Sequence, residues 1–293
     1  MERFDPIRFG GSTNLLNNPK DIVATVNRLR QDFSVIELEM EDEPRSVLGD
    51  PRMYDETVQS LLRLGRSAAV SLSVHAPYVG EDCDLASADA EIRQRSMNLI
   101  RAAIRFTSDV GATRLTYHPG YRSGLPARTL LQNLMRSLDE LVPEASDQGV
   151  TLSLENMGAE RPHFIVFSPV EHRELCENTG TRLTFDIVHH SSLVSSWAEF
   201  THDFSLLYPY IENIHLSDAV LPKHVHLPLG CGTIPVDEVL SFLVDHGYSG
   251  NVIVEEMGGG FPSQVFIERA SRYRGTLFAL ASRYEHVDEC GDF

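Results

Sequence analysis

Nearly every apolar run that reads as a β-strand in this chain is followed by a side chain that can bind a metal ion. Imidazoles and carboxylates are ligands that Mn²⁺, Zn²⁺ and similar divalent ions take in proteins. Strands that end in such residues one after another predict a ring of ligands around one point. In chain order the residues are His75, His118, Glu155, Asp186, His189, His215 and Glu255.

Four of these residues form a mixed oxygen and nitrogen set, namely Glu155, Asp186, His215 and Glu255. Such a set favours Mn²⁺, Zn²⁺, Co²⁺ or Mg²⁺ over a soft metal. A lone glutamate at a strand end is more often a capping or salt-bridged residue. Four candidates on four separate strands reverse that argument, so the sequence predicts a divalent metal site.

Two further groups of ligand types extend this prediction. His75 and His118 end successive strands and could bind a second ion that shares Glu155, although each could instead donate a hydrogen bond to a substrate. Asp186 and His189, with the pair His224 and His226, could form a third group, because alternate residues of an extended segment point the same way. His190 is interpreted as structural. The sequence thus leaves one to three ions open.

The elements that must position these residues alternate strictly between strand and helix. This rhythm predicts a single-domain (β/α)8 barrel over residues 1–284, followed by an acidic tail at 285–293. Glycines at 111, 149, 180 and 247 or 250 are typical of helix C-termini just before a strand. An open doubly wound sheet is the alternative, weakened because no Gly-x-Gly-x-x-Gly follows the first strand. In a barrel, functional groups lie at the C-terminal ends of the strands.

The predicted element boundaries follow from apolar periodicity and cap residues. The strands are expected at 7–10, 34–40, 69–75, 113–118, 150–155, 182–186, 211–215 and 251–255. The helices are expected at about 19–31, 54–66, 89–110, 127–148, 170–178, 196–207, 236–246 and 263–284.

Composition narrows the class of protein. The formal net charge of −17 and the presence of only two lysines argue against a dedicated nucleic-acid-binding protein. The four cysteines form no Cys-x-x-Cys pair, so neither a disulfide framework nor a thiolate zinc site is indicated. We found no membrane-spanning stretch and no signal peptide, and therefore expect a cytoplasmic location.

The residues around the ligand candidates resemble a known family. Successive motifs are similar to those of the xylose isomerase-like TIM-barrel superfamily, which contains sugar-phosphate isomerases and epimerases and also the endonuclease IV type of abasic-site endonuclease. The resemblance spans essentially the whole chain. The motifs are Val-His75-Ala-Pro-Tyr, Tyr-His118-Pro-Gly, Leu-Glu155-Asn, Phe-Asp186-Ile-Val-His189, Ile-His215-Leu-Ser-Asp, His226-Leu-Pro-Leu-Gly-Cys231-Gly and Ile-Val-Glu255-Glu.

The resemblance implies two activities with different ligand sets. In the ketose epimerases, the positions of Glu155, Asp186, His215 and Glu255 hold one metal ion, the two glutamates also move the proton, and the His189 position contacts the substrate. The endonuclease pattern adds His75, His118, His189 and His226, together with an aspartate where this chain has His224. Many epimerase-like members also carry a glutamate where this chain has Cys231.

Two hypotheses follow. The first is a metal-dependent isomerase or epimerase of a small sugar, sugar phosphate or polyol, with an enediolate formed by Glu155 and Glu255. Arg122 and Arg161 could then hold a substrate phosphate, or be solvated loop residues. The second is a zinc phosphodiesterase acting on abasic DNA, weakened by the acidic charge. The expected partner is a sugar-like small molecule, and no sequence feature identifies a homo-oligomer interface.

Overall fold

Eight parallel strands close into a barrel in which each strand pairs with its two neighbours in sequence and the last pairs with the first. This computed structural model describes residues 7–16, 21–68, 70–159, 163–221, 226–255 and 260–288. Helices follow the strands and cover the outside of the barrel. The predicted (β/α)8 barrel is therefore confirmed.

The strands are β1 Arg8–Ser12, β2 Val35–Glu39, β3 Ser71–His75, β4 Arg114–Tyr117, β5 Thr151–Glu155, β6 Arg182–Asp186, β7 Ile211–Leu216 and β8 Asn251–Val254. The helices are α1 Ile22–Leu29, α2 Pro51–Ala68, α3 Ala90–Asp109, α4 Ala127–Asp147, α5 Pro169–Thr179, α6 Ile187–Ser191, α7 Trp197–Leu207, α8 Val236–Asp245 and α9 Ser263–Asp288. Short 3₁₀ helices occupy Thr13–Leu16, Glu43–Leu48 and Tyr208–Tyr210.

Every predicted strand and helix is present within a few residues of its expected bounds. The short helix α6 directly after β6 was not predicted, and α9 continues to Asp288, four residues past the expected domain boundary at 284. Residues 289–293 of the expected tail lie outside the described residues. Within the described part of the chain no helix has both the length and the apolar character needed to cross a membrane.

Local capping explains where several helices begin and end. The Asp89 carboxylate accepts hydrogen bonds from two backbone N–H groups in the first turn of α3, at 2.8 and 3.1 Å. Ser168 and Glu171 form a reciprocal capping box at the start of α5. At the other end of α5, Gly180 has a φ of 78°, which a side chain would strain. These caps set the lengths of the helices that return the chain to the next strand.

A layer of polar side chains crosses the barrel interior, which in this fold is usually apolar. Thr116 of β4 and Thr184 of β6 join hydroxyls at 2.8 Å, and Asn213 of β7 donates to Glu37 of β2 at 3.0 Å. Ser73 of β3 also donates to Glu37, at 3.1 Å. Because β4 and β6 are not neighbours, and neither are β2 and β7, the side chains that join them meet inside the barrel. We call Glu37, Ser73, Thr116, Thr184 and Asn213 the polar floor.

Gly10 allows β1 to pack closely between its neighbours. Its register partners are Val35 of β2 and Ile253 of β8, and a Cβ at this position would overlap the Val35 carbonyl oxygen and side chain. Gly10→Ala is expected to destabilise the barrel by about 2 kcal/mol through overpacking. The measurement is the urea midpoint of unfolding, with Gly124→Ala as a control, because a Cβ there meets nothing within 4 Å. Equal midpoints for the two variants would contradict the expectation.

Candidate metal centre

The ligand candidates collect at the C-terminal end of the barrel. His75, Glu155 and Asp186 are the last residues of their strands, and His215 pairs in register with Asp186. The side chain two residues earlier on each strand faces the same way and belongs to the barrel interior, as Ser73 does below His75 and Thr184 below Asp186. The polar floor therefore lies two residues further into the barrel, along each strand, than the ligand candidates.

Among the described residues, three groups of possible ligands are close enough to hold ions. The atoms within each group lie within 4.8 Å of one another, and every residue involved is buried. Glu155 belongs to two of the groups and Asp186 to two, so the groups share carboxylates. The groups are His75, His118 and Glu155; Asp186, His189 and His226; and Glu155, Asp186, His215 and Glu255.

Glu155 is at the centre of this arrangement. Its Oε2 is 3.0 Å from Nε2 of His75 and 3.0 Å from Nε2 of His118. Its Oε1 is 3.3 Å from Nδ1 of His189 and 3.5 Å from Nδ1 of His215. One carboxylate thus contacts four imidazoles, which is the geometry of a bridging ligand.

In His75 and His189, the ring hydrogen lies on Nδ1, which leaves Nε2 available to bind a metal ion. Nδ1 of His75 is 2.8 Å from the carbonyl oxygen of Ala76, and Nδ1 of His189 is 2.8 Å from that of Asn156. A carbonyl can only accept, so both Nδ1 atoms carry the hydrogen. In a neutral ring Nε2 then keeps its lone pair. Histidine ligands are commonly oriented in this way by a hydrogen bond from the other ring nitrogen.

Two buried polar atoms support the fit of a cation. Nδ1 of His215 and Oε2 of Glu255 lie 3.1 Å apart. Within the described part of the chain neither atom completes a hydrogen bond. Two ligand atoms of one ion at metal distances of about 2.1 Å are separated by roughly 3 Å. The donor set and this separation together fit a divalent ion at the group that contains Glu155 and Asp186.

The electrostatics show how the protein balances this buried charge. Burial lowers the pKa of His75, but the carboxylates of Glu39 and Glu155 outweigh burial and raise it to about 10. Burial dominates for His118 and lowers its pKa to about 4. Burial raises the pKa of Glu39 to about 8. A proton on His75 therefore supplies part of the positive charge that a metal ion would bring.

Two of the residues considered from the sequence, Arg122 and His190, stand apart from the centre. His224 and Arg161 lie outside the described residues. Arg122 is exposed in the loop after β4, where its backbone N–H donates to the carbonyl oxygen of His163 at 2.7 Å. His190 is buried against Phe185 with its Nε2 3.4 Å from an Asp203 oxygen, in agreement with a structural role.

Two glutamates of the site were not predicted. Glu37 and Glu39 project from β2 into the barrel, and Glu37 Oε1 is 2.6 Å from Nε2 of His215. Glu39 accepts a hydrogen bond from the Ser12 hydroxyl at 3.2 Å. The available signal was the alternation in Val-Ile-Glu-Leu-Glu, which places both carboxylates on one face of a strand.

The loop after β7 is held in place by Asp218. This buried carboxylate accepts hydrogen bonds from the backbone N–H groups of Ala219, Gly232 and Ile234 at 2.8, 2.7 and 3.0 Å. Asp218 also pairs through its backbone with Leu227, the residue after His226. A side chain at position 232 would overlap the Asp218 carboxylate. The loop that carries His226 is thereby anchored to the end of β7.

Comparisons with known proteins place this geometry in context. A family model described as xylose isomerase-like TIM barrel matches residues 29–274. An uncharacterized protein of Methanocaldococcus jannaschii is 26% identical over 84% of this chain and 82% of its own length. A probable endonuclease 4 of Aquifex aeolicus is 31% identical over 36% of each chain. The crystal structure of a D-tagatose 3-epimerase-like protein superposes with a TM-score of 0.79 at 24% identity, over 95% of this chain and 100% of that one, a likeness in fold.

Proposed function

Because the chain belongs to the xylose isomerase-like TIM-barrel family, we propose that it is a metal-dependent isomerase or epimerase of a small sugar, sugar phosphate or related polyol. The observation that carries the proposal is the placement of two carboxylates around one imidazole atom. Nδ1 of His215 is 3.5 Å from Glu155 and 3.1 Å from Glu255. The similarity to a D-tagatose 3-epimerase-like structure supports the same substrate class.

The chemistry requires removal and return of one carbon-bound proton. A divalent ion at this site would act as a Lewis acid on a carbonyl and its adjacent hydroxyl oxygen, acidifying the C–H between them. One glutamate removes that proton to give the enediolate, and the other returns a proton to the opposite face. His189, buried beside Glu155, holds the substrate oxygen.

The proposal is tested by incubating the protein with Mn²⁺ and a panel of ketoses and ketose phosphates in D₂O. D-Fructose, D-tagatose and D-psicose, with their phosphates, cover the class. We expect formation of an epimer or isomer together with deuterium at the carbon next to the carbonyl, detected by NMR. Product without deuterium, or no turnover of any panel member by metal-loaded protein, would count against proton transfer by the two glutamates.

A second candidate, hydrolysis of abasic DNA by a multi-zinc centre, is favoured by the groups around His75, His118 and His226. These groups provide ligands that a single-metal epimerase does not require. The match to a probable endonuclease 4 points the same way. Ions on both sides of Glu155 would occupy both of its oxygens and leave none to move a proton.

Metal stoichiometry therefore separates the two candidates. Protein purified without added metal is analysed for metal content per chain, and then assayed for nicking of a duplex with one abasic site. One exchangeable ion and no nicking agree with the isomerase. Two or three tightly bound zinc ions with nicking would replace the isomerase by the hydrolase.

A further inference from the structure

Glu37 is a fully buried carboxylate that the proposed reaction does not use. It lies in the middle of β2. Its Oε1 is 2.6 Å from Nε2 of His215, which belongs to β7, a strand that does not pair with β2. A carboxylate oxygen accepts, so Nε2 of His215 donates. The hydrogen of the ring is thereby held on Nε2, and Nδ1 is left as the atom that lies beside Glu155 and Glu255.

The other oxygen of Glu37 is held by two donors. The Ser73 hydroxyl donates to Oε2 at 3.1 Å and the Asn213 amide donates to it at 3.0 Å. Both donors belong to the polar floor and are themselves buried. With one oxygen held by Ser73 and Asn213, the carboxylate can present only Oε1 to His215.

We propose that Glu37 is a positioning residue that binds the Nε2 hydrogen of His215 and thereby fixes Nδ1 as a metal ligand. Among the described imidazoles of the site, His75 and His189 are oriented by neutral backbone carbonyls. The group that accepts the Nε2 hydrogen of His215 is a carboxylate at 2.6 Å, which makes its Nδ1 a stronger donor to a cation. The inference rests on the proposed metal dependence, and is independent of the identity of the substrate.

A glutamine at position 37 would have the same shape as the glutamate, but an NH₂ group that donates hydrogen bonds would replace one of the two oxygens that accept them. Ser73 and Asn213 require an acceptor, so the amide oxygen would turn towards them. The NH₂ group would then face Nε2 of His215 and place two donors opposite each other. The ring relieves this contact by moving its hydrogen to Nδ1, the atom that must bind the metal.

The test is the Zn²⁺ affinity of Glu37→Gln, measured by competition with a chelator, together with ¹⁵N NMR of the His215 ring. We expect affinity to fall 10- to 100-fold, the range found when a group that orients a metal-bound histidine is removed. The Nε2 hydrogen, present in the starting protein with and without Zn²⁺, should be lost from the variant. The double variant Glu37→Gln with Asn213→Asp supplies an acceptor to the glutamine NH₂ and should regain most of the affinity.

Glu39→Gln is the matched control, since it removes a buried carboxyl from the same face of the same strand without contacting His215. Its His215 ring should keep the hydrogen on Nε2. Zn²⁺ affinity of Glu37→Gln within twofold of the starting protein, or failure of the folded double variant to regain affinity, would overturn the proposal. If Glu37→Gln does not fold, the double variant decides alone. If the starting protein binds no Zn²⁺, the proposed function fails. The role of Glu37 can still be tested in that case, because a His215 ring without a hydrogen on Nε2 in the metal-free protein would overturn it.

Discussion

Glu255→Gln is expected to stop interconversion of the substrate epimers, with turnover lowered by roughly 10³-fold, the contribution of a well-placed acid or base. Glutamine keeps an oxygen that can remain a ligand but cannot carry the proton. Glu155 still contacts His75, His118 and His215, so that half of the site remains assembled. The variant should therefore keep its bound metal in large part.

If Glu155 and Glu255 act on opposite faces of the substrate, hydrogen–deuterium exchange should reveal it even where the overall rate of interconversion does not. In Glu255→Gln, Glu155 should still exchange the carbon-bound hydrogen of one epimer with D₂O, although the product is not formed. Glu155→Gln should show the same behaviour with the other epimer. Measurement of deuterium in recovered substrate checks both expectations. Loss of exchange with both epimers in each metal-loaded variant would show that the glutamates do not act from opposite faces.

Removal of metal is expected to lower the melting temperature by roughly 7 °C relative to protein with ion at about 1,000 times its dissociation constant. A cation that binds only the folded protein shifts the folding equilibrium by mass action. In its absence, the carboxylates of Glu155, Asp186 and Glu255 remain buried beside one another, neutralised in part by protonated imidazoles. The measurement is a pair of thermal melts, after exhaustive chelation and after addition of Mn²⁺ or Zn²⁺.

The same ion must displace protons from the site. Glu39 and Glu155 hold the pKa of His75 at about 10 despite its burial. Metal affinity should therefore fall as the pH is lowered, and binding should release protons. Glu155→Ala, which removes a carboxylate from two of the groups at once, is the control, and its melting temperature should rise much less on addition of metal. A metal response in this variant equal to that of the unaltered protein would contradict the assignment of Glu155 as a shared ligand.

Most site residues at or near strand ends were predicted from the sequence, whereas Glu37 within β2 and Glu39 at its end were not. His75, Glu155 and Asp186 each follow an apolar run, so a one-dimensional pattern marks them. Glu37 precedes the end of β2 and becomes meaningful only through His215, 178 positions along the chain. Barrel closure brings the two together, and no local signal encodes that contact. Alternation on β2 could have predicted the orientation of Glu37 but not its partner.

The helix α6 shows a second limit. No element was predicted for Ile-Val-His-His after the strand at 182–186, because Ile and Val favour extended structure rather than helix. In the structure, the Asp186 carboxylate accepts a hydrogen bond from the His189 backbone N–H at 2.6 Å and starts a helical turn. Asn156 fixes the same point, accepting from the Asp186 N–H at 2.7 Å. Such a tertiary contact overrides the local preference and could not be predicted from the residues around it.

The polar floor also bears on how the chain finds a unique fold. Parallel strands are joined by helices, so no tight turn sets their alignment, and an interior of Val and Leu would tolerate a strand that slips along its neighbour. A slip by one residue turns each side chain to the other face. Here such a slip would separate Thr116 from Thr184 and leave buried donors and acceptors without partners, at about 1–3 kcal/mol for each. The layer that lies below the candidate metal ligands therefore also makes misregistered barrels less stable than the native one.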